Sequence, residues 1–126
     1  MKPLSLPKIY LLRNNNEYDK VYRHGKRVHG VNFSLILLPN SLEYNRLGIS
    51  IHGQLKGATK RNRIKRIIRE FFRLDRRFLQ EMSSRSRELP SMDMVITVRK
   101  GFNLKNLAEF AAAVSTLLDH RNLSFL

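Results

Sequence analysis

The chain has 126 residues, a formal net charge of +14 and no cysteine. That length fits one domain with a modest core. The missing thiols exclude disulfides, thiolate metal sites and cysteine catalysis.

A hydrophobic content of 42% argues against wholesale disorder. Positive charge on this scale selects polyanionic partners: nucleic acid, an anionic membrane surface or an acidic protein. The opening stretch MKPLSLPKIYLL is interrupted by Pro3 and Pro7, so it lacks the apolar run of a signal peptide. Residues 1–13 therefore read as an N-terminal tail of a single domain spanning 1–126. Purely apolar runs such as Leu35 to Leu38 fall far short of the about 20 residues that a membrane span needs. A cytoplasmic protein that makes no membrane contact is the expectation.

Asn14 to Arg23 predicts a short helix. Asn14 or Asn15 can cap it, and Tyr18, Val21 and Tyr22 recur at helical spacing. Gly25 ends it. Val31 to Leu38 reads as a strand with Phe33, Leu35 and Leu37 on one face, closed by Pro39. Arg46 to Ile51 alternates Leu47, Ile49 and Ile51, which predicts a second strand and a hairpin between the two. A helix follows from about Ala58 to Met82, then a polar loop over 83–92. Met94 to Val98 is a buried strand. Asn103 can cap a last helix carrying Leu107, Phe110, Ala111, Val114, Leu117 and Leu118. This order predicts an α+β protein, one sheet with helices packed on it.

The middle helix is the unusual element. From Lys56 to Phe78, ten of 23 residues are Lys or Arg, against Glu70 and Asp75 alone. At 100° per residue, Ile64, Ile67, Ile68, Phe71, Phe72, Leu74, Phe78, Leu79 and Met82 fill an arc of about 160°. Lys65, Arg66, Arg69, Arg73, Arg76 and Arg77 fill an opposite arc of about 120°. An ordinary solvated helix back mixes signs; this one does not. Lys60, Arg61 and Arg63 crowd the helix start, where each cation costs a few tenths to ~1 kcal/mol against the macrodipole. Asn62 is a poor helix former besides. Free N–H groups and three cations make a phosphate-binding end, so a bound polyanion is the expected compensation.

The stretch KGATKRNRIKRIIREFF, with Arg61 to Arg66 at its centre, resembles the signature of the bacterial ribonuclease P protein subunit. Tyr18-x-x-Val21-Tyr22-Arg23-x-Gly25 is similar to that family's first helix. Leu47-Gly48-Ile49-Ser50-Ile51 resembles the strand before the signature, and Leu89-Pro90-Ser91-Met92-Asp93-Met94-Val95 the lead into the next strand. Gly53-Gln54 stands where the family often carries a Lys pair.

The resemblance implies an αβββαβα two-layer fold with a mixed four-stranded sheet. It also implies a βαβ crossover of the rare left-handed sense, against the usual preference. The implied role is the protein partner of a catalytic RNA that removes the 5′ leader of precursor tRNA, as a monomer in a 1:1 complex. The RNA would then bind the Mg2+ and carry out the hydrolysis, with no catalytic residue and no metal motif in the protein. Lys56, Lys60, Arg61, Asn62, Arg63, Lys65, Arg66, Arg69 and Arg73 would face RNA. Tyr18, Tyr22 and Phe33 would line a cleft for the single-stranded leader, where rings stack bases and cations track phosphates.

The alternative is a structural, ribosomal-type RNA-binding protein, which fits the same charge and helix pattern. A stand-alone nuclease fits poorly. His24, His29, His52 and His120 with Glu17, Asp19 and Asp93 show no spacing that gathers carboxylates for a hard cation. The electrostatic reading predicts that log affinity for RNA falls linearly with log salt, with a slope of about −0.7 per phosphate contacted on single strands. Filter binding across a salt series checks this, and a flat line contradicts it.

Overall fold

The computed structural model describes residues 8–53, 55, 57–74 and 91–119, with the side chains of 118 and 119 excepted. After a 3-10 turn at Lys8–Tyr10 come α1 (Asn15–His24), β1 (Lys26–His29), β2 (Phe33–Pro39) and β3 (Arg46–Ile51). They are followed by α2 (Ala58–Leu74), β4 (Met92–Val98) and α3 (Leu107–Asp119). The sheet order is β1-β2-β4-β3. β1 and β4 each pair antiparallel with β2, and β3 pairs parallel with β4.

The order corrects the hairpin expected between Val31–Leu38 and Arg46–Ile51: β4 lies between those strands. Its residues are buried on both faces except Thr97, so it takes a central position. The intervening loop is tied to the β4 entry instead. Asn40 N–H donates to the Ser91 carbonyl at 3.0 Å, and the buried Asn45 Oδ1 accepts the Met92 N–H at 2.7 Å. The strand thus begins at Met92, inside the stretch expected as the 83–92 loop.

Alternation sorts the two faces. Val28, Phe33, Leu35, Leu37, Leu47, Met94, Ile96 and Val98 meet Ile64, Ile68, Phe71 and Phe72 of α2 and Phe110 and Val114 of α3 in the main core. On the other face, Ile36 and Val95 meet Val21 of α1 and Leu12. α1 therefore lies across the sheet from α2 and α3. Its start is a capping box: Asn14 Oδ1 accepts the Glu17 N–H at 3.0 Å while Glu17 reaches back to the Asn14 N–H. The cap of α3 is Asn106, which accepts the Glu109 N–H at 2.9 Å, rather than the expected Asn103. Leu74 belongs to the predicted apolar stripe yet is 50% exposed. Residues 75–82, the rest of the expected basic helix, lie outside the described residues.

The hand of the β3-α2-β4 unit follows from chirality. Leu47 and Ile49 turn their side chains toward the core that contains α2. Their backbone groups point away from β4: the Leu47 carbonyl accepts the Leu12 N–H at 2.8 Å, and the Ile49 N–H donates to the Tyr18 hydroxyl at 3.2 Å. With the strand running up and these side chains toward the viewer, the peptide groups of L-residues point right. β4 then lies to the left with α2 in front, which is a left-handed crossover. Part of the expected N-terminal tail is consumed here, since Leu11 bridges Leu47 in parallel and Leu12 is buried.

Phe110 centres the main core. Its ring centroid lies 5.4 Å from Phe33, 5.2 Å from Phe71 and 6.2 Å from Phe102. Phe110→Ala is expected to destabilise the fold by about 3–5 kcal/mol through lost burial and the cavity left behind. A urea denaturation midpoint compared with the parent chain measures it.

Candidate nucleic-acid interface

α2 turns Ile64, Ile67, Ile68, Phe71 and Phe72 into the core, which leaves its opposite face outward. Lys60, Asn62, Arg63, Arg66 and Arg69 are exposed and Lys65 is half-buried. Among the described residues, the side chains of Lys60, Arg63, Lys65, Arg66 and Arg69 form no ion pair and no hydrogen bond.

Two arginines of the predicted strip behave differently. Arg61 turns its Nη1 back onto the loop before α2 and donates to the His52 and Leu55 carbonyls at 3.1 and 3.0 Å. The guanidinium gives the Leu55 carbonyl a partner and adds a second donor to the His52 carbonyl, which already accepts the Leu55 N–H at 3.0 Å. Arg73 pairs with Glu70 at 2.6 Å, one turn away. Lys56 and His120 lie outside the described residues.

The aromatic side of the site is built on α1 and β3. Tyr18 and Tyr22 are half-buried, with centroids 6.4 Å apart at a 40° tilt. Tyr18 packs over Gly48, where a Cβ would come within 2.7 Å of its ring, so glycine alone admits the ring this close. Burial pushes the Tyr18 hydroxyl up from its ordinary pKa, against the Ile49 N–H and the nearby Arg69. The group therefore stays protonated at neutral pH and keeps a proton to donate outward. Beside it a groove of about 180 Å³ is lined by Leu11, Leu12, Tyr18, Ile49, Lys65 and Arg69. The basic face of α2 and the first ring of α1 thus meet across the β3 edge. Tyr22 carries its own cation: Arg27 Cζ stands 5.9 Å from the ring centroid.

Phe33 does not join them. It is 3% exposed and packs against Phe102 and Phe110 on the opposite face of the sheet. The reason is parity, since odd-numbered residues of β2 face α2 and α3. The register instead sets His29, Ser34, Thr97 and Ser50 in a row across all four strands, on the face that α1 covers in part. Ser34 Oγ accepts from Arg99 Nη2 at 2.6 Å and lies 3.0 Å from His29 Nδ1. This polar row is the feature that sequence reading missed. Its signal was available in the Ser and Thr residues at matched positions of three strands, but register was needed to align them.

A second missed feature is an ion network. Arg46 donates through Nε and Nη2 to the two Asp93 oxygens, each at 2.8 Å, and through Nη1 to Glu17 Oε2 at 3.0 Å. A carboxylate inside an apolar strand is the sequence signal for such a partner. Glu17 and Asp93 are both committed to Arg46, and no three His, Asp or Glu side chains gather among the described residues.

Fold and site together describe a small basic α+β protein with a left-handed βαβ unit, an exposed cationic helix face and an aromatic groove beside it. A family model described as Ribonuclease P matches residues 6–122. The chain is 49% identical over 117 residues to the ribonuclease P protein component of Desulfotalea psychrophila, covering 93% of this chain and 90% of that protein. It is 35% identical over 118 residues to the one from Syntrophus aciditrophicus, covering 94% and 92%. Its fold matches the Staphylococcus aureus RNase P protein with a TM-score of 0.71 at 23% identity, over 87% of this chain and 93% of that one. The Thermotoga maritima RNase P protein matches with a TM-score of 0.65 at 25% identity, over 88% and 96%. The chain belongs to the ribonuclease P protein family.

The Glu17 carboxyl is held below its ordinary pKa of 4.5, first by the Arg13 N–H bond, and further by the Asn14 N–H and Arg46, against some desolvation. A lowered folded-state pKa contributes stability that is complete above the unfolded value and is lost as pH falls through the folded one. The thermal stability of the parent chain should therefore fall from roughly pH 5 to pH 3. Glu17→Gln, which cannot ionise, should show a shallower decline over the same window.

Proposed function

We propose that this chain is the protein subunit of ribonuclease P and acts in removal of the 5′ leader from precursor tRNA. The exposed face of α2 binds the catalytic RNA, and the groove at Tyr18, with the Tyr22 ring next to it, holds the single-stranded leader. The observation that carries this reading is the set Lys60, Arg63, Lys65, Arg66 and Arg69: outward, of one sign, without ion-pair or hydrogen-bond partners among the described residues, and bordering the groove at Tyr18. Guanidinium forks suit phosphate oxygens. Half-buried tyrosines offer stacking faces worth roughly 1–3 kcal/mol per base without regard to sequence.

In this division of labour the RNA would hold the divalent metal, which would supply an activated water, and the protein orients what the RNA cuts. Tyr18 and Tyr22 fix the leader by stacking, and the hydroxyls of Thr97 and Ser50 face the same side of the sheet. The Lys65 and Arg69 cations flank the groove and neutralise phosphates where the leader enters. Arg61 acts one step removed, by shaping the β3–α2 loop that presents Lys60 and Arg63. A 1:1 complex follows if the α2 face binds one RNA and leaves no face for a second copy of the chain.

The test is reconstitution with the catalytic RNA and a precursor tRNA at near-physiological magnesium. The parent protein should raise cleavage at the mature 5′ end, and the purified chain alone should cleave nothing. Arg66→Glu should weaken assembly with the RNA at least tenfold while the thermal midpoint stays within a degree or two, since the side chain is exposed and has no partner among the described residues. Unaltered assembly, or co-purification of the native chain with ribosomal RNA alone, would overturn the reading.

A further inference from the structure

We infer that Arg46 is a positioning residue for the leader groove. It fastens the first turn of α1 to β3 and β4, and so sets where the Tyr18 ring stands. This rests on the reading of Tyr18 as a leader contact.

The geometry has two anchors along one face of β3. Arg46 and Gly48, two residues apart, both point toward α1. Arg46 grips Glu17 at 3.0 Å, and Gly48 receives the ring of Tyr18, the next residue in the helix. The Arg46 side chain is 19% exposed, and all three of its nitrogens are engaged. Two are forked onto Asp93, whose side chain is 5% exposed. Asp93 is steadied in turn by Asn40 Nδ2, which donates to it at 2.8 Å. Glu17 shares out its own oxygens: Oε2 takes Arg46, while Oε1 accepts the Arg13 N–H at 2.6 Å and the Asn14 N–H at 3.3 Å. The helix start, the strand pair and the loop after β2 are thereby linked through one guanidinium. The apolar contact under α1 is small, with Leu12, Val21, Ile36 and Val95 as its buried members. It resists lifting of the helix but not a slide along the sheet. The ion pair, being directional, resists the slide at the helix start, as the Ile49 N–H bond to the Tyr18 hydroxyl does at the ring.

Arg46 spends its three nitrogens inside the molecule. Its effect passes through Glu17 to Tyr18, and the two arms of the network can be separated. Removing Arg46 strands the buried Asp93 charge and threatens the fold itself. Glu17→Gln leaves the Arg46–Asp93 fork intact, and glutamine still serves as the capping-box acceptor. Only the charged grip on α1 is weakened.

The experiment uses holoenzyme reconstituted from the parent chain, Glu17→Gln, Tyr18→Ala and the double variant. Affinities are measured for a precursor tRNA, for the same tRNA without its leader, and for the catalytic RNA. Glu17→Gln should weaken precursor binding about threefold to fivefold, with the other two affinities unchanged. In the Tyr18→Ala background it should cost nothing further, because the ring it positions is gone. Arg46→Lys keeps a charge near Glu17 but cannot fork Asp93, and it should lie between the parent and Glu17→Gln in precursor preference. A loss shared by all three ligands, a full additional loss on top of Tyr18→Ala, or no loss from Glu17→Gln would each reduce Arg46 to a scaffold role. If Tyr18→Ala itself leaves the precursor preference intact, the groove reading fails and the positioning role with it. If only Glu17→Gln is silent, the groove reading stands.

Discussion

Burial of β4 on both faces is the constraint from which the architecture follows. Met92, Met94, Ile96 and Val98 fill the core under α2 and α3, while Val95 closes the smaller core under α1. A strand buried on both faces takes the interior of a sheet, with neighbours on both sides to satisfy its peptide groups. β2 fills one side antiparallel and β3 the other in parallel. A parallel neighbour demands a crossover, and that crossover is α2. Since one face of α2 must cover β3 and β4, its cationic back is left in solvent, beside the edge at which α1 stands. The one charge β4 carries inward, Asp93, is matched by Arg46 rather than by water.

The arginines of this chain divide into two working groups. Arg46, Arg61, Arg73 and Arg99 spend their hydrogen bonds inside the molecule. Arg99, for instance, donates to the Gly30 and Val31 carbonyls at 3.2 and 3.3 Å and so holds the turn between β1 and β2. Arg63, Arg66 and Arg69 spend none among the described residues. Net charge does not reveal the division. It depends on which carbonyls and carboxylates the fold leaves within reach of each fork.

Much of the site was legible before the fold. The hydrophobic period of α2 placed five of its apolar residues in the core and the cations opposite, because 3.6-residue periodicity is local information. The α1 start was legible to within one residue, Asn14 or Asn15, for the same reason, and the fold selects Asn14. Phe33 was not, although its apolar character was clear. A strand shows which residues share a face but not which of its two faces meets which helix. The hairpin expectation failed likewise: Leu35–Leu37 and Leu47–Ile51 each want a partner, and neither says that β4, much later in the chain, is the better one.

By itself, the sequence determined the elements other than β1, which only the family resemblance implied, the two-sided character of α2, the excess of positive charge and, through a resemblance over most of the chain, the family. Each of these depends on neighbours a few residues apart or on recurring local patterns. Only the tertiary structure decided that Tyr18 meets Lys65 and Arg69 across a strand edge, that Arg61 turns inward, and that Glu17, Arg46 and Asp93 join. Those contacts close loops of many residues, and their geometry is set by strand order, register and crossover hand, which no local pattern encodes.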